Sequence, residues 1–561
     1  MDFSKLTAYK KDFICVFALL LFFIFCAVFF GHVYGTPYVD NGREAWMPSA
    51  MLQGYVPFKD IFAMYNPLSY QINMCLYWLF GESIDVLYFV GYVNTFMIIL
   101  GIYLICRIFI KEYYSFVLPF MIISIYVFKF TAQSNYIFSY AYAMVYAISS
   151  LIYAVLFFLL FIKNKKINYA YISSLLLGIS IANKPEFTLC IIPVIAYMAI
   201  NKIRISKILK AVTLYILPLL FSWGILFLSG LSLTDFINYL HFTKNFFNTD
   251  EQIYYTINYI NKPYTWDNIW FCLSNFISFI LMIVAGSVYF LYKSKYTKLI
   301  FFLLVPVYVL LLHKFFPIFI DSNYFSWSIF LSFAACLYFL KSQKNEMLLY
   351  FSLITVISCY RVGLLGSNLK YYLLPLIFIW ILFVKFRFER IKFDYVKYTS
   401  FSLIILSIIS IYTIKNNTSD YLIVNTKKGT FGHMQKQMKP FNEIVKWVRK
   451  NTKKDESVLV LPEGVMVNFL TDRPTKPLYY HLIPNHVSAL GEDNVVTGLN
   501  ADKPDYIIVL SYPGNKVYAK SEMCQDWGEK ICHFIDDNYV SEKPQKRIIL
   551  NKKEVLFYRK K

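Results

Sequence analysis

Charge is scarce in this chain of 561 residues. Only 16% of the residues are Asp, Glu, Lys or Arg, whereas 58% are hydrophobic and 20% are aromatic. A soluble globular domain carries roughly 25% charged residues, so the composition excludes an ordinary soluble protein. Apolar runs of about 20 residues recur along most of the length, as an α-helix that crosses a bilayer requires. Because lipid offers the backbone no hydrogen bonds, these runs are predicted to be helices.

The sequence also lacks the short motifs of several enzyme classes. It contains no P-loop, GxGxxG, HExxH or CxxC, which argues against the phosphate-binding, dinucleotide-binding, zinc-peptidase and redox sites that those motifs build. His241, His313 and His433 are scattered, without the spacing of metal ligands. We therefore predict no cofactor, and the sequence does not support a divalent metal.

Acidic residues are outnumbered by basic ones, 34 to 55, which gives a net charge of +21. Much of this excess lies in short loops between apolar runs, such as KNKK at 163–166, KIRISK at 202–207 and KFRFERIK at 385–392. Basic loops of this kind mark the cytoplasmic side of a membrane protein. The charge is thus explained without a nucleic-acid partner, and Lys5, Lys10 and Lys11 place the N-terminus in the cytoplasm.

The basic loops divide residues 1–414 into about 13 predicted transmembrane helices. An odd number of spans puts residues 415–561 outside the cytoplasm. This tail alternates a predicted helix, MKPFNEIVKWVRKN, with predicted strands in ESVLVLPEG, PDYIIVLS and KEVLFYRK, which favours a small α/β domain. Outside the cytoplasm, Cys524 and Cys532 could form a disulfide. The predicted spans are 13–31, 84–106, 114–129, 140–162, 168–182, 187–200, 211–230, 269–292, 299–315, 324–340, 347–362, 371–384 and 398–414.

The first outward segment, residues 32–83, places charges among aromatic residues just where a membrane helix ends. Charges beside a bilayer are costly and usually functional. Asp40 and Glu44 are four residues apart, which puts both on one face of a helix. Arg43 is a candidate for binding substrate. An ion pair with Arg43 or Lys59 would equally explain Glu44, so its role stays open.

The same segment continues through VPFKDIFAMYNP. Lys59 fits binding of a phosphate, and it also fits contact with lipid head groups. Asp60 lies beside it among aromatic residues. Tyr65 and Asn66 precede a proline, which favours an extended backbone, and they fit either contact with a polar ligand or the end of a loop. All four are candidate substrate-binding residues.

Two later outward segments add charged candidates. In NKPEF, residues 183–187, Lys184 and Glu186 interrupt an apolar stretch. Glu186 is a candidate catalytic carboxylate and Lys184 a candidate binding residue, although an ordinary tight turn would also contain polar residues. Arg361 lies at the outward end of a predicted span. It fits a bidentate pair of hydrogen bonds to a phosphate, and it also fits an anchor of the helix to lipid phosphate.

These features together resemble the GT-C membrane glycosyltransferases. The most similar members are the bacterial ones of the dolichyl-phosphate-mannose protein mannosyltransferase group, which includes the lipid A aminoarabinose transferases. In the first outward loop such proteins often show an acidic residue, an Arg/Glu pair, a G-x-x-P step and a Y-N-P turn. This chain matches at Asp40, Arg43, Glu44, Gly54, Pro57 and Tyr65 to Pro67.

The resemblance implies a polytopic α-helical membrane protein with a GT-C-like fold and a C-terminal extracytoplasmic α/β domain. It implies inverting transfer of a sugar from a polyprenyl-phosphate donor to an extracytoplasmic lipid, glycan or protein acceptor. Asp40 would be the general base, with residues 32–83 as the catalytic loop. The implied location is a bacterial inner membrane, with membrane lipids as partners.

One segment departs from the family pattern, since TAQSNYIFSYAYA at 131–143 lacks the second acidic residue that several members carry. Glu186 is the nearest substitute. A transporter or flippase of lipid-linked glycans remains an alternative, as does a polymerase or ligase joining preassembled glycans. Transporters tend to show internal repeats and charges near mid-span. Here the charges gather at the outward edge, which favours an enzyme.

Overall fold

The computed structural model describes residues 3–38, 40–128, 135–260, 327–342, 345–359, 373–386, 395–510, 518–520 and 522–561, with Trp270 and Leu273. Before residue 418, the described residues form helices joined by short connections. A π-helical turn at Ile123–Val127 extends one of them, and a 3-10 turn at Pro185–Ile191 begins another. The helices are α1 (Phe3–Phe30), α2 (Asn41–Leu52), α3 (Leu68–Phe80), α4 (Ile84–Phe109), α5 (Glu112–Ile122), α6 (Tyr142–Asn164), α7 (Ile167–Asn183), α8 (Ile192–Ile200), α9 (Ile205–Leu228), α10 (Leu233–Asn248), α11 (Asp250–Tyr255), α12 (Trp327–Ser342), α13 (Glu346–Ser358), α14 (Leu373–Lys385) and α15 (Tyr395–Asn417).

The apolar helices make this chain a membrane protein. Within the described residues, α4, α6, α9 and the Lys10–Phe30 part of α1 are long and apolar enough to cross a bilayer. Further apolar helices are shorter. The predicted spans at 269–292 and 299–315 lie outside the described residues, and each of the others overlaps a described helix. The total of about 13 spans stays a prediction.

Helix α6 lies in the middle of the bundle and is buried along most of its length. Helix α9 lies at the periphery, where Leu220 and Phe221 are exposed, as expected of side chains that face lipid. Close helix contact between α7 and α9 depends on Gly178, because a Cβ there would lie 2.3 Å from the carbonyl oxygen of Tyr215. Small residues at such crossings let membrane helices approach.

After residue 417 the chain contains both strands and helices. An antiparallel hairpin comes first, and a four-stranded sheet of order β3-β4-β8-β5 follows, with β3 and β4 parallel and the other pairs antiparallel. The predicted helix and strands coincide with α16, β3, β4 and the β7–β8 segment. The elements are β1 (Tyr421–Thr426), β2 (Gly429–Met434), α16 (Gln435–Asn451), β3 (Val458–Leu461), α17 (Met466–Thr471), α18 (Pro484–Leu490), α19 (Glu492–Ala501), β4 (Tyr506–Val509), α20 (Glu529–Asn538), β5 (Tyr539–Glu542), β6 (Ile549–Leu550), β7 (Lys553–Glu554) and β8 (Leu556–Lys560).

Cys524 and Cys532 are joined by a disulfide just before and within α20. Residues 524–526 form a turn, and the helix begins at Glu529.

Helix α2 is almost completely buried. Ten of its twelve residues are buried, because the tail packs against it. At Gly42 a Cβ would lie 2.8 Å from the backbone nitrogen of Met466 in α17. Trp46 also packs against Tyr480, with the ring centroids 5.0 Å apart and the rings tilted by 43°. The main hydrophobic core therefore runs from the membrane helices into the tail.

Candidate active site

Three charged residues form a chain at the start of α2. Asp40 precedes the helix, and its Oδ1 accepts a hydrogen bond from Nη2 of Arg43 at 2.9 Å. Nε of Arg43 lies 3.7 Å from Oε1 of Glu44. The Asp40 side chain is 28% exposed, whereas Arg43 is 3% and Glu44 0% exposed. Of these three residues, Asp40 is thus the one that a substrate can reach.

Glu44 faces the interior of the protein. Its Oε2 accepts a hydrogen bond from the backbone nitrogen of Tyr142, the first residue of α6, at 3.1 Å. Helix N-termini carry unpaired N–H groups and favour a negative charge. Burial raises the pKa of Glu44 to about 7, although Arg43 and the Tyr142 N–H act in the opposite direction. In this conformation Glu44 holds α2 against α6.

The segment that lacks the expected acidic residue contributes backbone groups instead. The carbonyl oxygen of Tyr140 accepts from Nη2 of Arg43 at 3.2 Å. Nδ2 of Asn41 donates to the carbonyl oxygens of Phe138 and Ser139, at 2.9 and 3.2 Å. Residues 135–142 therefore fix the start of α2 and the Arg43 guanidinium without supplying a carboxylate.

Tyr65 brings NKPEF into the same site. The guanidinium carbon of Arg43 lies 5.7 Å from the centroid of the Tyr65 ring, and Nζ of Lys184 lies 4.3 Å from it. Lys184 also pairs with Glu186 at 3.3 Å, and both side chains are buried. Two predicted segments that are far apart in the sequence thus meet at one aromatic ring.

The other predicted binding residues in the described part of the chain contact backbone groups. Nδ2 of Asn66 donates to the carbonyl oxygen of Ile181 at 2.6 Å. Oδ2 of Asp60 accepts from the backbone nitrogen of Val56 at 2.8 Å, which closes a turn. Nζ of Lys59 donates to the carbonyl oxygen of Gly230 at 3.2 Å and stays accessible. Arg361 lies outside the described residues.

Several tyrosines that the sequence did not single out lie close enough to Asp40 to respond to its charge. Burial raises the pKa of the Tyr255, Tyr480 and Tyr518 hydroxyls, and the nearby negative charge of Asp40 adds to this effect. Tyr255 of α11 and Tyr518 of the tail also contact each other, with ring centroids 5.2 Å apart. Asp40 therefore lies in an aromatic environment built by the first outward segment, α11 and the tail.

The tail also contributes a buried row of ionisable side chains. Oε2 of Glu463 lies 2.9 Å from Nε2 of His481. Nδ1 of His481 lies 3.1 Å from Nδ1 of His486, which also lies 3.0 Å from the carbonyl oxygen of His481. Burial lowers the pKa of His486, and the nearby positive charge of Arg43 acts in the same direction. His486 is therefore neutral.

Comparison with known proteins supports one architecture. No protein-family model and no curated protein sequence matches the chain. ArnT from Cupriavidus metallidurans bound to undecaprenyl phosphate matches with a TM-score of 0.52 and 9% identity, over 98% of this chain and 98% of that chain. The apo oligosaccharyltransferase from Archaeoglobus fulgidus matches with a TM-score of 0.50 and 12% identity, over 92% of this chain and 71% of the oligosaccharyltransferase. The chain has a GT-C fold.

This GT-C fold places most of the predicted residues in one region. Asp40, Arg43, Glu44, Tyr65 and the NKPEF pair meet there, as the contacts above show. Within the described residues, no group of three or more His, Cys, Asp or Glu side chains is arranged to hold a metal ion. The GT-C likeness rests on shape alone, since so few residues are identical.

Proposed function

We propose that the chain is an integral membrane glycosyltransferase that moves a sugar from a polyprenyl-phosphate donor to an extracytoplasmic acceptor. The main observation behind this proposal is that the carboxylate of Asp40 is accessible and paired with the buried Arg43. Asp40 follows the first membrane helix, which ends at Phe30. The GT-C fold and the undecaprenyl phosphate bound to ArnT support this class of donor.

In the proposed reaction, Asp40 is the general base. It takes the proton of an acceptor hydroxyl while the hydroxyl oxygen attacks the anomeric carbon of the sugar. The bond between that carbon and the phosphate oxygen breaks, and polyprenyl phosphate leaves with the electron pair. Attack opposite the leaving group inverts the anomeric carbon. Lys59, which is accessible, and Arg361 are proposed to stabilise the phosphate.

The remaining candidates have supporting roles in this proposal. Arg43 orients Asp40, and Glu44 fixes α2. Lys184 and Glu186 form a buried pair behind Tyr65, so they are proposed to position that ring against the sugar. Asn66 and Asp60 shape the loop through their backbone contacts.

The tail is proposed to lie outside the cytoplasm of a bacterial inner membrane, with the N-terminus inside. The disulfide between Cys524 and Cys532 supports this orientation, because disulfides persist in oxidising compartments. A flippase or transporter of lipid-linked glycans and a glycan polymerase or ligase are the alternatives. The gathering of Asp40, Arg43 and the tyrosines into one site favours transfer chemistry over transport.

The test measures release of polyprenyl phosphate from a panel of polyprenyl-phosphate sugars by the purified protein, with membrane extract as the acceptor source. Asp40→Asn keeps the shape of the side chain but removes the base, and positioned bases contribute roughly 10²–10⁴-fold to such rates. Asp420→Asn, an exposed change in the tail, is the matched control. Equal rates for Asp40→Asn and Asp420→Asn would remove Asp40 from the mechanism. No release with any donor by the unchanged protein would favour the flippase.

A further inference from the structure

The nitrogen Nε2 of His486 is a buried hydrogen-bond acceptor that finds no partner among the described residues. His486 is 1% exposed, and within that part of the chain its Nε2 makes no hydrogen bond. Its Nδ1 contacts the carbonyl oxygen of His481. A carbonyl oxygen only accepts, so Nδ1 carries the proton of this neutral ring and Nε2 presents a lone pair.

His481 and Glu463 fix this tautomer of His486. With Nδ1 of His486 as the donor, Nδ1 of His481 accepts, and Nε2 of His481 carries a proton towards Glu463 at 2.9 Å. A carboxylate and a second imidazole thus hold one lone pair in a set direction. In proteins, the hydrogen bond made by one ring nitrogen of a histidine sets whether the other nitrogen carries a proton or a lone pair.

Three phenylalanine rings pack around the His486 imidazole. The ring centroid of Phe62, in the first outward segment, lies 4.3 Å from that of His486, and those of Phe246 and Phe242 in α10 lie 5.1 and 6.2 Å from it. A buried acceptor that lacks a hydrogen bond costs free energy, which a ligand hydroxyl would recover. Apolar walls with a few placed polar groups are typical of ligand sites.

Helix α10 covers this site and lies at the surface. None of its residues is buried, and Leu240 and Phe247 are exposed. The site also adjoins the proposed donor site, because Tyr480 donates its hydroxyl to the carbonyl oxygen of Phe62 at 3.0 Å. Phe62 and Tyr480 thus connect the two sites.

We propose that His486, with Phe62, Phe242 and Phe246, forms the acceptor subsite and binds a sugar ring. Nε2 accepts a hydrogen bond from one sugar hydroxyl, while the phenylalanine rings pack on the C–H face of the ring. A sugar fits this chemistry better than a serine or threonine side chain, which has a hydroxyl but no broad apolar face. This subsite rests on the proposed function, and it names the acceptor class.

The experiment measures how a panel of methyl hexopyranosides raises the midpoint of thermal unfolding of the purified full chain. Ligands that bind only the folded state stabilise it in proportion to their concentration and affinity. At least one glycoside should stabilise the unchanged protein. His486→Phe should weaken its apparent affinity about tenfold, the factor that one hydrogen bond commonly contributes. His433→Phe, another buried histidine of the tail, is the control and should retain the affinity.

A second variant separates binding from packing. His486→Gln retains an acceptor oxygen, so it should keep the affinity within about threefold. Equal losses in His486→Gln and His486→Phe would overturn the proposal, as would a glycoside effect that both variants retain. Stabilisation by serine or threonine peptides and not by glycosides would overturn the choice of a sugar.

Release of polyprenyl phosphate is measured separately on the same samples. Glycoside binding that depends on His486, without release from any donor, would support the subsite and refute the proposed function. Release that depends on Asp40, without any effect of glycosides, would refute the subsite and leave the proposed function in place.

Discussion

Replacing Glu44 with glutamine isolates the free energy of burying its charge, because glutamine keeps the shape but does not ionise. Burial raises the pKa of Glu44 from its ordinary value of 4.5 to about 7, with Arg43 opposing. The folded protein therefore binds this proton more tightly than the unfolded chain does. Between about pH 4.5 and pH 7 only the unfolded chain releases it, so stability falls as pH rises through that window and levels off above it.

The size of the effect follows from the two pKa values. Their difference corresponds to about 3 kcal/mol, since each factor of ten in proton affinity is worth about 1.4 kcal/mol. Glu44→Gln has no proton to release at this position, so it does not lose this stability. Its free energy of unfolding, relative to that of the unchanged protein, should therefore rise by about 3 kcal/mol from pH 4.5 to pH 7. Glutamine can still accept the hydrogen bond of the Tyr142 backbone nitrogen, so the contact with α6 is retained.

The assay is unfolding of the purified protein in mixed micelles with increasing SDS, followed by circular dichroism at a series of pH values. Glu443→Gln, in an exposed ion pair with Lys446, controls for the loss of a carboxylate as such. Curves for Glu44→Gln and the unchanged protein that run parallel across the window would refute the reasoning. They would mean that Glu44 keeps its ordinary proton affinity in the folded protein.

Two further predictions concern the tail. Gly42→Ala should push α2 away from Met466 at a cost of about 1–3 kcal/mol, and it should speed proteolysis of the tail in proteoliposomes. Gly224→Ala is the control, because a Cβ there meets nothing within 4 Å, and it should not change the rate of proteolysis. Equal resistance of the two variants would contradict the close contact of Gly42 with Met466. Replacing Cys524 and Cys532 with serine should cost the tail about 2.5 kcal/mol. Peptide mapping of protein from intact cells should find this pair oxidised, and free thiols there would contradict an extracytoplasmic tail.

The membrane helices could be predicted because lipid imposes a simple rule on local sequence. An apolar run must satisfy its own backbone hydrogen bonds, so its length and composition define it. Helices α4 and α6 accordingly begin and end within a few residues of the predicted spans. An ion pair of Glu44 with Arg43 was one of the interpretations that the sequence left open, and these side chains lie 3.7 Å apart.

The environment of α2 could not be predicted, because its partners are distant in the sequence. No local pattern indicates that Gly42 faces Met466 or that Tyr65 lies beside Lys184. The buried pairing of His481 and His486 likewise needs the turn before α18, which sequence spacing does not reveal.

The contact between the tail and α2 also sets an order of events during synthesis. The hydroxyl of Tyr480 bonds a carbonyl oxygen 418 positions earlier in the chain, so residues 32–83 are synthesised long before this partner exists. Until then α2 is without its cover, and chains in this state are prone to misassembly. The contact between α2 and the tail therefore forms late, after the membrane helices that separate them in the sequence have been made.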